Sequence, residues 1–386
     1  MKKYYLPINV FLFLCLISIV YGQNENIIIG KSIKIFSKVL NEERLLQIHL
    51  PENYETDSSR YPVLITLDGE RFFNSTAATI QFLAKYVHIP PMIVVGIPNT
   101  DRNRDFSYEK TEKNSIRGAD RFLQFLEKEL IPFIDKTYRT LQYRIIKGWC
   151  ATGVFCIHTL FTNPSLFNAY IASSPYLVED AKCIFQRVDE YPDNGMKSNN
   201  FLFISVGGRD RPDAKIEVPK FAELLKKRNF KHLNWHYTYL KIEDHYTIDF
   251  KTLQKAFEVL FSDMIYARNI VKDGFEAGIE RFKVLARKFG FQEMFPEKTM
   301  ARMGYVLLNQ ELFEDAITLF RIAAEHYPDS YLTYENLGEA YMLYGRKDLA
   351  IKNFEKSLKI YPANKYAKDM LMKLRKKINK EVFNEI

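Results

Sequence analysis

Cysteine is scarce in this chain of 386 residues, with four in all. Cys15 falls inside an apolar N-terminal run, which leaves Cys150, Cys156 and Cys183 in the remainder. An odd count, with Cys156 on a helix just after a tight turn, argues against a stabilising disulfide framework. A Cys156 to Cys183 bridge would still leave Cys150 free. The seven histidines and the cysteines lack ligand spacing, so no metal site is expected. No glycine-rich phosphate cradle appears, since Gly207-Gly208 reads as a turn after a strand, and no cofactor is expected. After the N-terminal run no segment is apolar enough to cross a membrane, so no stable span is expected once that run is removed.

The N-terminus itself reads as an export signal. Met1-Lys2-Lys3 precedes apolar residues 9–20, and Val20 and Gly22 are small residues ahead of a cut before Gln23. Leu14 is too large for a lipoprotein cleavage box at Cys15. The expected location is therefore outside the cytoplasm, periplasmic or secreted. The formal charge of +8 falls to +6 when Lys2 and Lys3 are removed. Much of the excess lies in residues 365–386, where seven Lys or Arg face three acids, and this reads as the solvated side of a basic C-terminal capping helix. An exported chain with no nucleic-acid motif is not expected to bind nucleic acid.

Up to residue 263, strand-like apolar runs alternate with helix-length amphipathic runs, which predicts an α/β domain over 23–263 with a mostly parallel sheet. The strands are read at 45–50, 61–67, 92–97, 143–146, 169–172, 201–206 and 234–240. Helical spacing is clearest at 118–134 and 219–228.

Beyond residue 264 the β signal stops. Gly304 and Gly338, Ala316 and Ala350, Phe320 and Phe354, and Pro328 and Pro362 are each 34 residues apart, the period of tetratricopeptide helix pairs. Two repeats over 297–364 are fewer than an array needs to stand alone, so linking helices in 264–296 and the cap at 365–386 must supply neighbours. The repeats present either a concave surface for a protein partner or an appendage packed on the first domain.

Lys147-Gly148-Trp149-Cys150-Ala151-Thr152-Gly153 has the outline of a nucleophile elbow with cysteine as the nucleophile. Such a turn, between a buried strand and a helix, exposes the nucleophile and aims the next backbone N–H at an oxyanion. Chain order then calls for an acid and a histidine. Asp210 follows a buried strand and Gly207-Gly208-Arg209, and His245 follows the next strand in Ile242-Glu243-Asp244-His245-Tyr246. Asp213, Glu243 and Asp244 compete with Asp210 for the acid role. The remaining histidines fit less well: His49, His232 and His236 lie in or near strands, His158 follows the elbow, His88 is upstream and His326 belongs to the repeats.

From about residue 33 to 261 the chain resembles the esterase family of α/β-hydrolases that includes siderophore, feruloyl and acetylxylan esterases and S-formylglutathione hydrolases. The likeness rests on Asn41-Glu42-Glu43-Arg44, Leu50-Pro51-Glu52-Asn53-Tyr54, Tyr61-Pro62-Val63-Leu64 and Leu67-Asp68-Gly69-Glu70. It continues through Val94-Val95-Gly96-Ile97-Pro98-Asn99-Thr100 with Arg102 and Arg104-Asp105, Tyr138-Arg139-Thr140, the elbow and Ser173-Ser174-Pro175. The resemblance implies an α/β-hydrolase fold followed by tetratricopeptide-like helices. It also implies an oxyanion hole from the backbone N–H groups of Glu70 and Ala151, with Asp210 and His245 as acid and base.

The family elbow pattern is Gly-His-Ser-x-Gly-Gly, and here Trp149, Cys150 and Thr152 depart from it. Thr152 brings a β-branched side chain where glycine allows close packing, so the turn is expected to loosen or its neighbours to shrink. Trp149 adds bulk beside the nucleophile, filling the acyl pocket or stacking on a ligand; Trp149 and Thr152 are thus expected to shape the pocket. A thiol beside His245 can ionise and is intrinsically nucleophilic. The expected activity is hydrolysis of a small carboxylic ester or thioester by Cys150, His245 and Asp210. The alternative is a catalytically impaired binding protein that retains the pocket and a repeat surface for a partner.

Overall fold

The structure is a computed structural model, and it describes residues 28–52, 54–55, 59–86, 89–108, 117–178, 183–262, 275–290 and 297–384. The export signal at 1–22 and much of the linking segment at 264–296 lie outside the described residues.

Eight strands form one sheet in the order β1-β2-β4-β3-β5-β6-β7-β8. They are β1 (Lys31–Ser37), β2 (Glu42–His49), β3 (Tyr61–Leu67), β4 (Ile93–Ile97), β5 (Thr140–Trp149), β6 (Ala169–Ser173), β7 (Asn200–Arg209) and β8 (Leu233–Asp244). The hairpin β1–β2 and the β2–β4 pair are antiparallel, and all other pairs are parallel. The central strands β3, β4 and β6 are buried along their whole length. Their β-branched and aromatic residues alternate between two apolar layers, one on each face of the sheet. This is the α/β-hydrolase arrangement, and the parallel strands bring their carboxyl ends to one edge.

Helices α1 (Gly69–Lys85), α5 (Ala151–Leu160), α7 (Pro212–Arg228) and α8 (Ile248–Leu260) cover the sheet, with shorter helices α2 (Arg102–Asp105), α3 (Gly118–Phe125), α4 (Ile131–Thr137) and α6 (Cys183–Asp189). The single helix expected over 118–134 is broken by one π segment, Leu126–Leu130, between α3 and α4. Pro219 does not start its helix but sits inside α7, which begins at Pro212.

Among the described residues, five helices follow α9 (Phe275–Phe289) in the C-terminal part: α10 (Glu297–Asn309), α11 (Phe313–His326), α12 (Tyr331–Leu343), α13 (Lys347–Ile360) and α14 (Lys365–Asn384). The recurring glycine and phenylalanine have a direct steric cause. A Cβ on Gly304 would lie 2.1 Å from the Phe320 ring, and one on Gly338 would lie 3.0 Å from the Phe354 ring. In each pair, then, a glycine on the first helix admits a phenylalanine of the second. Helix α14 closes the array, with Ala367, Leu371 and Leu374 packed on Ala350 and Phe354.

Helix α9 packs against both the sheet and the repeats. Leu285 and Phe289 are buried in the apolar layer under the sheet, where Phe289 meets Tyr143 at 4.8 Å and Phe261 at 5.1 Å. Ala286, on its other side, is buried with Met300, Leu307 and Phe320 of the repeats. A second tie is Arg302, which donates to the Lys85 carbonyl at 2.9 Å and lies over the Tyr86 ring.

Candidate active site

The sheet register sets the site. Trp149 of β5 pairs with Ser173 of β6, and Ser173 pairs with Ser205 of β7. Two further bonds extend this ladder past the strand ends, from Cys150 N–H to the Ser173 carbonyl and from Ser174 N–H to the Ser205 carbonyl, each 3.0 Å. Cys150, Ser174 and Asp210 therefore stand side by side at the carboxyl ends of three adjacent strands.

Cys150 occupies the sharp turn between β5 and α5 with φ 58° and ψ −118°, a conformation that L side chains rarely adopt. The turn is tight because Gly148 and α5 nearly touch: a Cβ on Gly148 would lie 2.2 Å from the Thr152 carbonyl oxygen. Thr152 does not loosen it. Its side chain is fully buried, the Trp149 N–H donates to Thr152 Oγ1 at 2.8 Å, and Thr152 Oγ1 donates to Asp68 Oδ2 at 2.7 Å. The expectation that Thr152 shapes a pocket gives way to an internal role, because its hydroxyl satisfies groups within the elbow.

Asp68 in turn holds Arg102 through Nε at 2.6 Å and through a second nitrogen at 3.1 Å. The same Arg102 donates to the Trp149 carbonyl at 3.1 Å and brings positive charge to the Cys150 sulfur. Asp68, Arg102 and Thr152 thus form one network behind Cys150. Glu70 and Ala151 lie in the first turns of α1 and α5, where helices leave backbone N–H groups without intrahelical partners. The Glu70 carboxylate accepts from the Asn99 backbone at 3.0 Å and side chain at 2.7 Å, which fixes the start of α1 against the loop after β4.

His245 follows the last residue of β8. Its Nδ1 lies 2.8 Å from Asp210 Oδ1, and Ser174 Oγ donates to Asp210 Oδ2 at 2.6 Å while lying 3.1 Å from His245 Nδ1. With Nδ1 engaged, Nε2 is the ring nitrogen left for Cys150. Two of the three competing carboxylates are otherwise employed: Asp213 pairs with Arg211 at 2.7 Å, and Asp244 accepts the Tyr246 and Thr247 backbone N–H groups in the turn that aims His245. His158 is fully buried 3.0 Å from Asp120, and His49 Nδ1 lies 2.6 Å from the Ile29 carbonyl.

Burial pushes the His245 imidazole down, but hydrogen bonds to Asp210 and Cys150 and the charges of both outweigh it, raising its pKa to about 9. For Cys150, burial pushes the thiol up, and this is overcome by the hydrogen bond and charge of His245 and by Arg102 and Arg211, leaving it below the ordinary thiol range. Burial likewise favours the neutral acid at Asp210, and hydrogen bonds from His245, Ser174 and the Arg211 backbone hold it below the usual carboxylate range. The arrangement suits a thiolate–imidazolium pair near neutral pH.

Trp149 is only 5 % exposed. Its ring faces His245 at 4.6 Å, and Phe72 and Tyr246 flank it at 5.7 and 6.0 Å. Phe72 and Tyr246 also line a groove of about 400 Å³ together with Arg71 and Phe250. Among the described residues no group of three His, Cys, Asp or Glu could hold a metal, Cys150, Cys156 and Cys183 form no disulfide, and no helix is long and apolar enough to cross a membrane.

The profile of the family described as Putative esterase matches residues 37–246, more than half of the chain. The chain belongs to that family. A tetratricopeptide repeat profile matches residues 331–364, which are α12, α13 and the turn after them. Among curated relatives, the uncharacterized protein YjcH of Bacillus subtilis is 30 % identical over 37 % of this chain, and the chain spans 60 % of its length. The ferri-bacillibactin esterase BesA of Bacillus subtilis is 25 % identical over 46 % of this chain and 69 % of its own. Among solved structures, an IroE-like serine hydrolase from Shewanella oneidensis superposes with a TM-score of 0.66 at 27 % identity, covering 77 % of this chain and 99 % of that one. This chain carries an esterase-family domain followed by C-terminal tetratricopeptide helices.

Sequence reasoning brought Cys150, Asp210 and His245 forward, and the fold gathers them at one strand edge. It assigned no role to Ser174 or Arg102, although both fall in segments that carry the family likeness. Lys147 it read only as part of the elbow strand; its side chain is buried and pairs with Asp249 at 2.7 Å.

Proposed function

We propose that this protein hydrolyses a small carboxylic ester or thioester through an acyl-Cys150 intermediate. The observation that carries the reading is the 2.8 Å contact of Asp210 with His245 Nδ1, which leaves Nε2 for a cysteine held at a nucleophile elbow. The Cys150 thiolate attacks the acyl carbon, the bond to the leaving alkoxide or thiolate breaks, and His245 supplies the leaving group's proton. Water then attacks the thioester while His245 takes its proton and returns it to the sulfur. The backbone N–H groups of Glu70 and Ala151 hold the oxyanion in both steps. Asp210 orients the imidazole.

The protein acts after export, with residues 1–22 removed as a signal. The groove beside Trp149 receives part of the substrate, and because BesA is a ferri-bacillibactin esterase, siderophore esters are the first substrates to assay. The repeat helices serve as a surface for a protein partner.

The test is mass spectrometry of the purified protein quenched during turnover of p-nitrophenyl butyrate. An acyl adduct on the peptide carrying Cys150, absent in C150A together with the hydrolysis, is the expected result. Equal hydrolysis by the parent and C150A, with no adduct, overturns the reading.

A further inference from the structure

The strand that ends at the nucleophile also reaches across to the base. The Trp149 indole Nε1–H donates to the His245 backbone carbonyl at 2.5 Å, and the two rings lie 4.6 Å apart at 44°. Two residues earlier on β5, Lys147 Nζ donates to Asp249 Oδ2 at 2.7 Å, and both side chains are almost completely buried. Asp249 lies in the first turn of α8, the helix that begins three residues after His245.

We propose that Trp149 is a positioning residue for His245, holding the base by its main chain from the strand that carries the nucleophile. The inference rests on the roles proposed above for Cys150 and His245. A histidine between a strand and a helix has one φ and one ψ torsion to be set; the Asp244 bonds to Tyr246 and Thr247 hold the turn around it, and the Asp210 contact fixes one point of its ring. The indole bond fixes the carbonyl, the ring face supports the imidazole, and the Lys147–Asp249 pair fixes the helix that follows. Because Trp149 and Cys150 are neighbours on one backbone, any shift of the elbow carries the base with it, and the sulfur-to-imidazole separation stays constant. Buried ion pairs contribute more reliably to register than to net stability, which fits the place of Lys147 and Asp249 in this clamp.

Sequence position explains why an indole does this. The side chain one residue before the nucleophile leaves the strand toward the loop after β8, and tryptophan combines the reach, the flat apolar face and the single N–H donor that a backbone carbonyl requires.

The test removes the N–H with an aromatic ring retained, a bicyclic one in the isostere variant. In W149F, and in a variant carrying the benzothiophene isostere of tryptophan at position 149, iodoacetamide alkylation of Cys150 is followed across pH. The expected result is a profile displaced toward that of an ordinary thiol, with the rate at neutral pH lower by about tenfold, the factor that one positioning hydrogen bond represents. Combining W149F with H245A should slow the reaction no further than H245A alone. A profile unchanged in both Trp149 variants, while H245A displaces it, overturns the proposal. Should H245A itself leave the profile unchanged, the reading of Cys150 and His245 as a pair fails separately, and the NMR titration of His245 decides on Trp149: a titration altered in the isostere variant upholds the positioning role, and an identical one removes it. A loss of thermal stability alone, without movement of either readout, also counts against it.

Discussion

Thr152 and Asp68 meet inside the elbow, hydroxyl to carboxylate at 2.7 Å, with neither side chain exposed to solvent. The contact links a residue that departs from the family pattern to one that belongs to it, and it passes through Arg102 to the sulfur of Cys150. Replacing Thr152 by valine keeps the volume and removes the hydroxyl, leaving the Trp149 N–H without its acceptor. The expected cost is about 1–3 kcal/mol, measured by urea denaturation. Loss of one donor to Asp68 should also slow Cys150 alkylation at neutral pH, because Arg102 is less firmly held.

The pH dependence of that alkylation follows from the shifts in the site. Cys150 titrates below the ordinary thiol range, and His245 keeps its proton up to about 9. Reactivity should therefore persist through neutral pH and fall as the medium becomes acidic enough to protonate the thiolate. In H245A the largest lowering influences are gone while burial, Arg102 and Arg211 remain, so the profile should move up toward the ordinary thiol value of about 8.5. A profile of the alkylation rate over pH 5 to 10, on the order of ten points, reads both limbs.

Lys147 and Asp249 form a buried ion pair whose single removal and joint removal should differ in size. K147M leaves the Asp249 carboxylate buried and unpaired, with an expected loss of about 3–5 kcal/mol. Replacing both residues by apolar ones of similar volume should restore most of that loss in equilibrium unfolding.

Phe289 fills the layer beneath the sheet against Tyr143 and Phe261, so F289A should cost about 3–5 kcal/mol. Calorimetry is expected to show one transition for the parent and two for F289A, since the shared helix no longer joins the two cores. The glycines of the repeats give a graded comparison: G304A, whose Cβ would meet Phe320 at 2.1 Å, should be destabilised more than G338A, where the distance is 3.0 Å. Overpacking of this kind costs about 1–3 kcal/mol.

The features legible in the sequence were those with a period or a fixed chain order. Parallel strands announced themselves as continuous apolar runs, and the repeats by a spacing of 34 residues. Asp210 and His245 could be read because each follows a strand. Strand β1 could not, since Lys31–Ser37 is an edge strand whose side chains are mostly exposed and whose composition is mixed. The π segment after Phe125 carries the same amphipathic pattern as the helices on either side. Ser174 and Arg102 act through contacts with residues 36 and 34 positions away, which no local pattern displays. Thr152 was misjudged for a related reason: steric reasoning weighed its methyl group, and the structure turns on its hydroxyl.

The backbone at Cys150 has one more implication. A torsion pair of φ 58° and ψ −118° is comfortable only for glycine, and a side chain held there costs of order 1–3 kcal/mol. C150G should thus be a more stable protein than the parent, and C150A and C150S should be nearly equal to it. Thermal tolerance and thiol chemistry are set against each other at this one residue, so a selection for heat resistance that ignored activity should accept glycine at position 150.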